Sequence, residues 1–309
     1  MAVELELEDI QGTILRSRPM PYFGTYYVFT IDDAGSAITL IKRLLPHITP
    51  AAHWDAPPEN AWINATFSWE GLRKLGLPRE ILDGFPREFI QGMAARKEFL
   101  GDVGVNDPSH WDMPHGGNGL DIGLLIMAGS PELRDAKAAI GREAVAGLGG
   151  LRTINRLDVG LPPTGREHFG FVDGISRPYI EGQGGNPLPG QPVAKAGEFV
   201  LGYENELGVI ASGPGPEEFW RNSTYISLRK IHQDVAAFRR FLRDNAETPD
   251  GRELVAAQMM GRWRSGCPMA LSPEKDDPEI AKDPMRNNDF TFRAEDPDGD
   301  RTAPGCHIR

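Results

Sequence analysis

The chain has 309 residues, enough for roughly two domains and a sizeable core. Hydrophobic residues make up 40% and charged residues 25%, an ordinary globular balance, while 36 glycines and 26 prolines point to many long connections. The net charge of −11 argues against a nucleic-acid surface and against an anionic membrane.

The acidic start, MAVELELED, has no basic n-region, no apolar h-region and no twin arginine. No apolar run approaches the roughly 20 residues that a membrane helix needs. With only Cys267 and Cys306 there is no disulfide framework, so a cytoplasmic location off the membrane is expected.

Residues 26–31 are rich in β-formers and predict a strand. Residues 34–45 carry Ile38, Ile41, Leu44 and Leu45 at helical spacing. A second strand is expected over 61–67, then short helical pieces over 70–75 and 88–100. A third strand follows over 120–128. A helix over 131–146 has Ser130 as its N-cap and Pro131 in its first turn. Residues 151–157 complete the series as a fourth strand. The order β-α-β-β-α-β, with extra helices inserted, is ferredoxin-like and of the α+β class.

The second half opens in the same way. Residues 198–203 and 223–229 read as strands. Residues 234–245 form an amphipathic helix with Val235, Phe238, Phe241 and Leu242 on one face, and 252–260 a further helix. Beyond Pro268 the sequence is loop-like, with one short apolar run at 290–292. Nothing matches 120–157 of the first half, so an incomplete second domain is expected. The division expected is 1–162 and 163–309.

The densest chemical signal lies in 168–178. Asp173 stands in the turn Gly170-Phe171-Val172-Asp173-Gly174, and flanking glycines let the backbone bend sharply. Such a turn can aim one carboxylate into a cavity, or merely cap a helix. Near the end, His307 offers an imidazole suited to haem iron, and Cys306 an alternative thiolate. The seven histidines (47, 53, 110, 115, 168, 232 and 307) form no HExxH, and there is no paired CxxC, G-x-S-x-G elbow or GxGxxG loop. Arg177, Arg262 and Arg264 are basic points that could meet a buried anion such as a haem propionate, or simply cover a helix end. Trp220, Trp263 and Tyr225 suit either an electron relay or a core.

These residues resemble the dye-decolorising peroxidase family over nearly the whole chain. The family's Gly-x-x-Asp-Gly signature corresponds to 170–174. Asp9-Ile-Gln-Gly12, the stretches 201–206, 233–238 and 261–268, Asn288-Asp-Phe290 and Asp296-Pro-Asp-Gly299 follow the family's order. The resemblance implies two ferredoxin-like domains forming a barrel-like α+β unit, with one haem b per chain held mainly by the second. It implies His307 as proximal iron ligand and Asp173 as distal acid–base. Gly170, Phe171, Val172, Gly174, Ile175, Ser176, Arg177 and Arg309 are the expected haem neighbours. The family's distal arginine, and the acid that orients the proximal histidine, lie in a segment this sequence does not contain. The implied partners are hydrogen peroxide and bulky dye or phenolic electron donors, with a homo-oligomer compatible. A haem carrier, an enzyme removing iron from haem and a structural α+β module are the rival classes.

Overall fold

The computed structural model describes residues 3–53, 60–111, 119–188 and 191–309; His115 lies outside them. The chain divides into two units, Met1–Gly160 with Lys195–Lys230, and Leu161–Ala194 with Ile231–Arg309.

In the first unit, β1 (Phe23–Ile31) runs into helix α1 (Ala34–Leu44), whose N-cap Asp33 accepts the Ser36 N–H at 2.7 Å. Strand β2 (Ala61–Phe67) follows, then α2 (Trp69–Lys74) and α3 (Arg87–Ala95). Strand β3 (Ile122–Ala128) leads into α4 (Pro131–Val145) and β4 (Leu151–Gly160). The four strands pair antiparallel in the order β2-β3-β1-β4, which is the ferredoxin-like arrangement read from the sequence. Phe29, Ile63, Ile122, Leu124 and Ile126 of the sheet pack against Leu40 and Leu44 of α1 and Ala138 of α4. Fully burying a large apolar side chain contributes about 1.5–3 kcal/mol, so this layer holds the unit together. The helical stretch expected over 88–100 is broken: Gly92 inside α3 has φ of 68°, and a separate short helix, Lys97–Leu100, follows.

Two expected strands do not form. Over 198–203 a 3-10 turn (Ala196–Glu198) and Gly202 at φ 94° bend the chain, and 223–229 is irregular. β-rich composition makes a strand only where a neighbour supplies a ladder. Here the pairing is limited to Leu201, whose N–H donates to the Ser223 carbonyl (2.9 Å) and whose carbonyl accepts from Asn222 (3.2 Å). The segment 195–230, expected in the second domain, belongs to the first unit. Buried Asn222 ties it down: its Nδ2 donates to Glu6 (2.9 Å) and Asp9 (2.8 Å), and its Oδ1 accepts from the Tyr203 hydroxyl at 2.8 Å. The motifs at 9–12 and 201–206 therefore meet in a structural joint.

The second unit contains the short parallel pair β5 (Tyr179–Ile180) and β6 (Val193–Ala194), then α5 (Val235–Asn245) and α6 (Pro249–Met260). Asp234 and Thr248 cap the two helices through the N–H groups of Ala237 and Gly251. Phe171 packs with Leu242 and Ala256, and Trp263, Cys267 and Met269 pack with Ala257 and Ile280. Phe241, expected on the buried face of α5, is 46% exposed. Among the described residues no helix is long and apolar enough to cross a membrane.

Candidate functional site: the Asp173 turn and the His307 turn

The turns bearing the two candidate residues both lie beside the loop 261–268 of the second unit. At its start, α6 ends on Gly261 at φ 87°. A Cβ there would stand 2.4 Å from Ile308 Cγ1 and 2.9 Å from Cys306 Sγ, so the turn bearing His307 lies directly on this glycine. The His307 N–H also donates to the Met259 carbonyl at 3.0 Å. At the other end of the loop, a Cβ on Gly266 would lie 2.2 Å from Ile175 Cδ1, and the Val172 N–H donates to the Arg264 carbonyl at 3.2 Å. One eight-residue loop thus contacts the residues that flank Asp173 and those that flank His307.

The Asp173 turn is braced at every bend. Gly170 and Gly174 have φ of 100° and 77°, a region in which a side chain is strained. Asp173 Oδ1 accepts the Gly174 N–H at 2.7 Å, and the residue is half-buried. Arg166 Nη1 donates to the Gly170 carbonyl at 3.0 Å and to that of Arg264. Arg264 donates to the Phe169 carbonyl, pairs with Glu253, and lies over the Phe171 ring at 5.0 Å. Glu167 accepts the N–H groups of Phe169 and Phe171 at 2.8 and 2.7 Å.

The remaining expected haem neighbours divide by position. Phe171 is buried in the helical core beneath Arg264. Ile175 packs on Gly266, and its carbonyl accepts from Asn288 Nδ2 at 3.3 Å. Gly174 and Ser176 are exposed, and Val172 and Arg177 are half-buried. Arg309 is taken up by its own loop. Its guanidinium donates to the Asp296 carboxylate (3.0 Å) and to the carbonyls of Asp296 (2.6 Å), Thr302 (2.8 Å) and Pro297 (3.1 Å). Burial works against a charged Asp296, yet the Arg301 and Thr302 N–H groups and Arg309 outweigh it and hold the carboxyl below its usual range.

The other arginines are likewise framework. Arg262 is buried and donates to the carbonyls of Gly266 and Asn287, both at 2.9 Å, and to Asn288 Oδ1 at 2.7 Å. Burial lowers its pKa from the ordinary guanidinium value and pushes the neighbouring Cys267 thiol up. Asn288 stands in a motif of the sequence with no role assigned to it there. Here it joins Arg262 to the Asp173 turn, a link between distant segments that no local pattern reveals. Of the aromatic candidates, Trp263 is core, its Nε1 donating to Ser272 at 2.7 Å. Trp220 and Tyr225 instead line an open cleft of about 1600 Å³ in the first unit, beside Phe85, Phe89 and Phe219. Tyr225 is 41% exposed, with its ring edge on Phe89 at 5.3 Å.

The donor types fit a haem. The His307 side chain is exposed and makes no hydrogen bond or ion pair among the described residues, which leaves its ring nitrogens available to a metal. Its backbone neighbour Met259 adds an apolar surface, 46% exposed.

No family model matches the chain. Individual proteins do. Peroxidase 2 of Mycetinis scorodonius is 35% identical over 304 residues, which are 94% of this chain and 56% of that protein. The dye-decolorizing peroxidase of Mycena epipterygia is 32% identical over 309 residues, 95% and 56% of the respective chains. A solved dye-decolorizing peroxidase in complex with 2,6-dimethoxyphenol superposes with a TM-score of 0.79 at 29% identity, over 93% of this chain and 66% of its own. A triple mutant of the Auricularia auricula-judae enzyme gives 0.81 at 28% identity, over 99% and 68%. The chain spans 56–57% of the length of the sequence relatives it matches. Its own length, by contrast, is matched almost throughout, in both sequence and fold, by dye-decolorising peroxidases.

Proposed function

We propose that the chain carries the haem site of a peroxidase, with Asp173 as acid–base and His307 as the residue that would hold the iron of one b-type haem. The observation that supports this best is the shared support of the two residues by the loop 261–268. When bound, the haem supplies the iron at which peroxide is reduced and through which donors give up single electrons. The His307 imidazole would hold that iron through a ring nitrogen. The Asp173 carboxylate would take a proton from one peroxide oxygen and return it to the other, so that the leaving oxygen departs as water. The braces from Arg166, Glu167 and Arg264 keep that carboxylate in one place during the transfer, so little reorganisation accompanies the step. Exposed Gly174 and Ser176 leave the approach to Asp173 open on that side.

The reductants proposed are phenols and bulky dyes. One relative was solved with 2,6-dimethoxyphenol, and a compound of that size suits oxidation at an exposed aromatic such as Tyr225. The test is to load the chain with haem and follow oxidation of that phenol on adding hydrogen peroxide. The expected result is haem-dependent, peroxide-dependent formation of coloured product. Bound haem with no oxidation from acid to neutral pH would overturn the reading in favour of a haem carrier.

A further inference from the structure

We infer that Glu167 is the positioning residue for Asp173: its carboxylate gathers the N–H groups of the turn and ties them to helix α5. The inference rests on Asp173 being the acid–base group proposed above. Glu167 Oε1 accepts the Phe171 N–H at 2.7 Å. Oε2 accepts the Phe169 N–H at 2.8 Å and Gln233 Nε2 at 2.6 Å. The backbone of Glu167 closes the same turn, donating to the Phe171 carbonyl and accepting from the Gly170 N–H, both at 2.9 Å. Gln233 immediately precedes Asp234, the N-cap of α5, so the carboxylate links the turn to the start of a helix.

The division of labour is complete for this stretch. The N–H groups of Phe169 and Phe171 go to Glu167, while the carbonyls of Phe169 and Gly170 go to Arg264 and Arg166. Hydrogen bonds to a charged acceptor are roughly twice as strong as neutral ones. Two oxygens can also face three donors only if both oxygens accept. An amide offers one acceptor and adds a donor, so Glu167→Gln, although nearly isosteric, sets N–H against N–H at Phe171 or at Phe169 and Gln233. Asp173 is two residues beyond Phe171, so the backbone from which its carboxylate projects continues directly from the stretch 169–171 that Glu167 holds.

The experiment compares the full chain with Glu167→Gln and with Glu167→Gln/Gln233→Glu, which returns a carboxylate opposite the new amide. In the haem-free protein, amide exchange at Phe169 and Phe171 is expected to accelerate at least about tenfold in Glu167→Gln, with exchange in the first unit unchanged. In the haem-loaded protein the rate of the peroxide reaction is expected to fall about tenfold or more, with haem uptake retained. The double variant is expected to recover part of both losses. Unchanged exchange at Phe169 and Phe171 would overturn the inference, as would faster exchange with an undiminished peroxide rate. If Glu167→Gln does not fold, Gln233→Ala keeps the carboxylate and removes one donor. It is expected to shift both readouts the same way by less, and no shift in either would overturn the inference. Asp173→Asn separates failures: an unimpaired peroxide rate in that variant removes the reading of Asp173, whereas the exchange readout judges Glu167 independently.

Discussion

Gly261 shows how a single residue without a side chain can place another. Its φ of 87° and its contact with Ile308 and Cys306 leave no room for a Cβ. Gly261→Ala is expected to destabilise the protein by about 1–3 kcal/mol, read as a lower thermal midpoint, and to weaken haem retention by displacing the His307 turn. Asp296 makes a different test, through pH. Its carboxyl is held below the usual range, so its contribution is fully present above the unfolded value near ~3.9 and is lost as pH falls through the lowered folded value. Thermal midpoints measured as pH is lowered from about 5 to below the unfolded value should fall in the parent and fall less in Asp296→Asn, which has no such group to protonate. Asp173 and His307 stand as candidates from the sequence, one from its glycine-flanked turn and the other from the resemblance of the chain's end, and the structure brings both turns beside the loop 261–268. The roles of Glu167, Asn288 and Arg309 were not legible there, because each is defined by bonds to backbone groups that come near only after folding.

Helices and strands differed in how openly the sequence announced them. The helices α1, α4 and α5 carry both a cap and an apolar period, two local signals that agree, and they lie close to where they were expected. Ser130 accepts the Leu133 N–H at 3.3 Å at the start of α4, and Ser130→Ala is expected to cost about 1 kcal/mol in denaturant unfolding. No change in midpoint would mean that Pro131 and the packing of Ala138 suffice to start the helix. Strands β1 to β4 were legible because each has a neighbour to pair with in the sheet. Residues 198–203 and 223–229 share the same composition but meet only at Leu201, and stay irregular. A strand is a property of two segments, and composition describes only one.

Taken together, the chain joins a ferredoxin-like unit, closed by the return of 195–230, to a helix-and-loop unit that carries both candidate residues. The joint at Asn222 belongs to the first and the loop 261–268 to the second, so the motifs quoted from the sequence serve separate ends: some hold the scaffold, others lie beside the two candidate residues. That division was invisible in the order of the motifs along the chain. It emerges because 195–230 leaves the second unit in space while remaining between its parts in sequence. In the function proposed above, the turn at Asp173 supplies the proton transfer of a haem peroxidase. The most direct measurement is the rate of the peroxide-driven absorbance change in the haem-loaded chain, parent against Asp173→Asn. A fall of about 10²-fold or more with the haem spectrum intact is expected, the range of a lost general acid–base. An unchanged rate in Asp173→Asn would exclude Asp173 as the acid–base group.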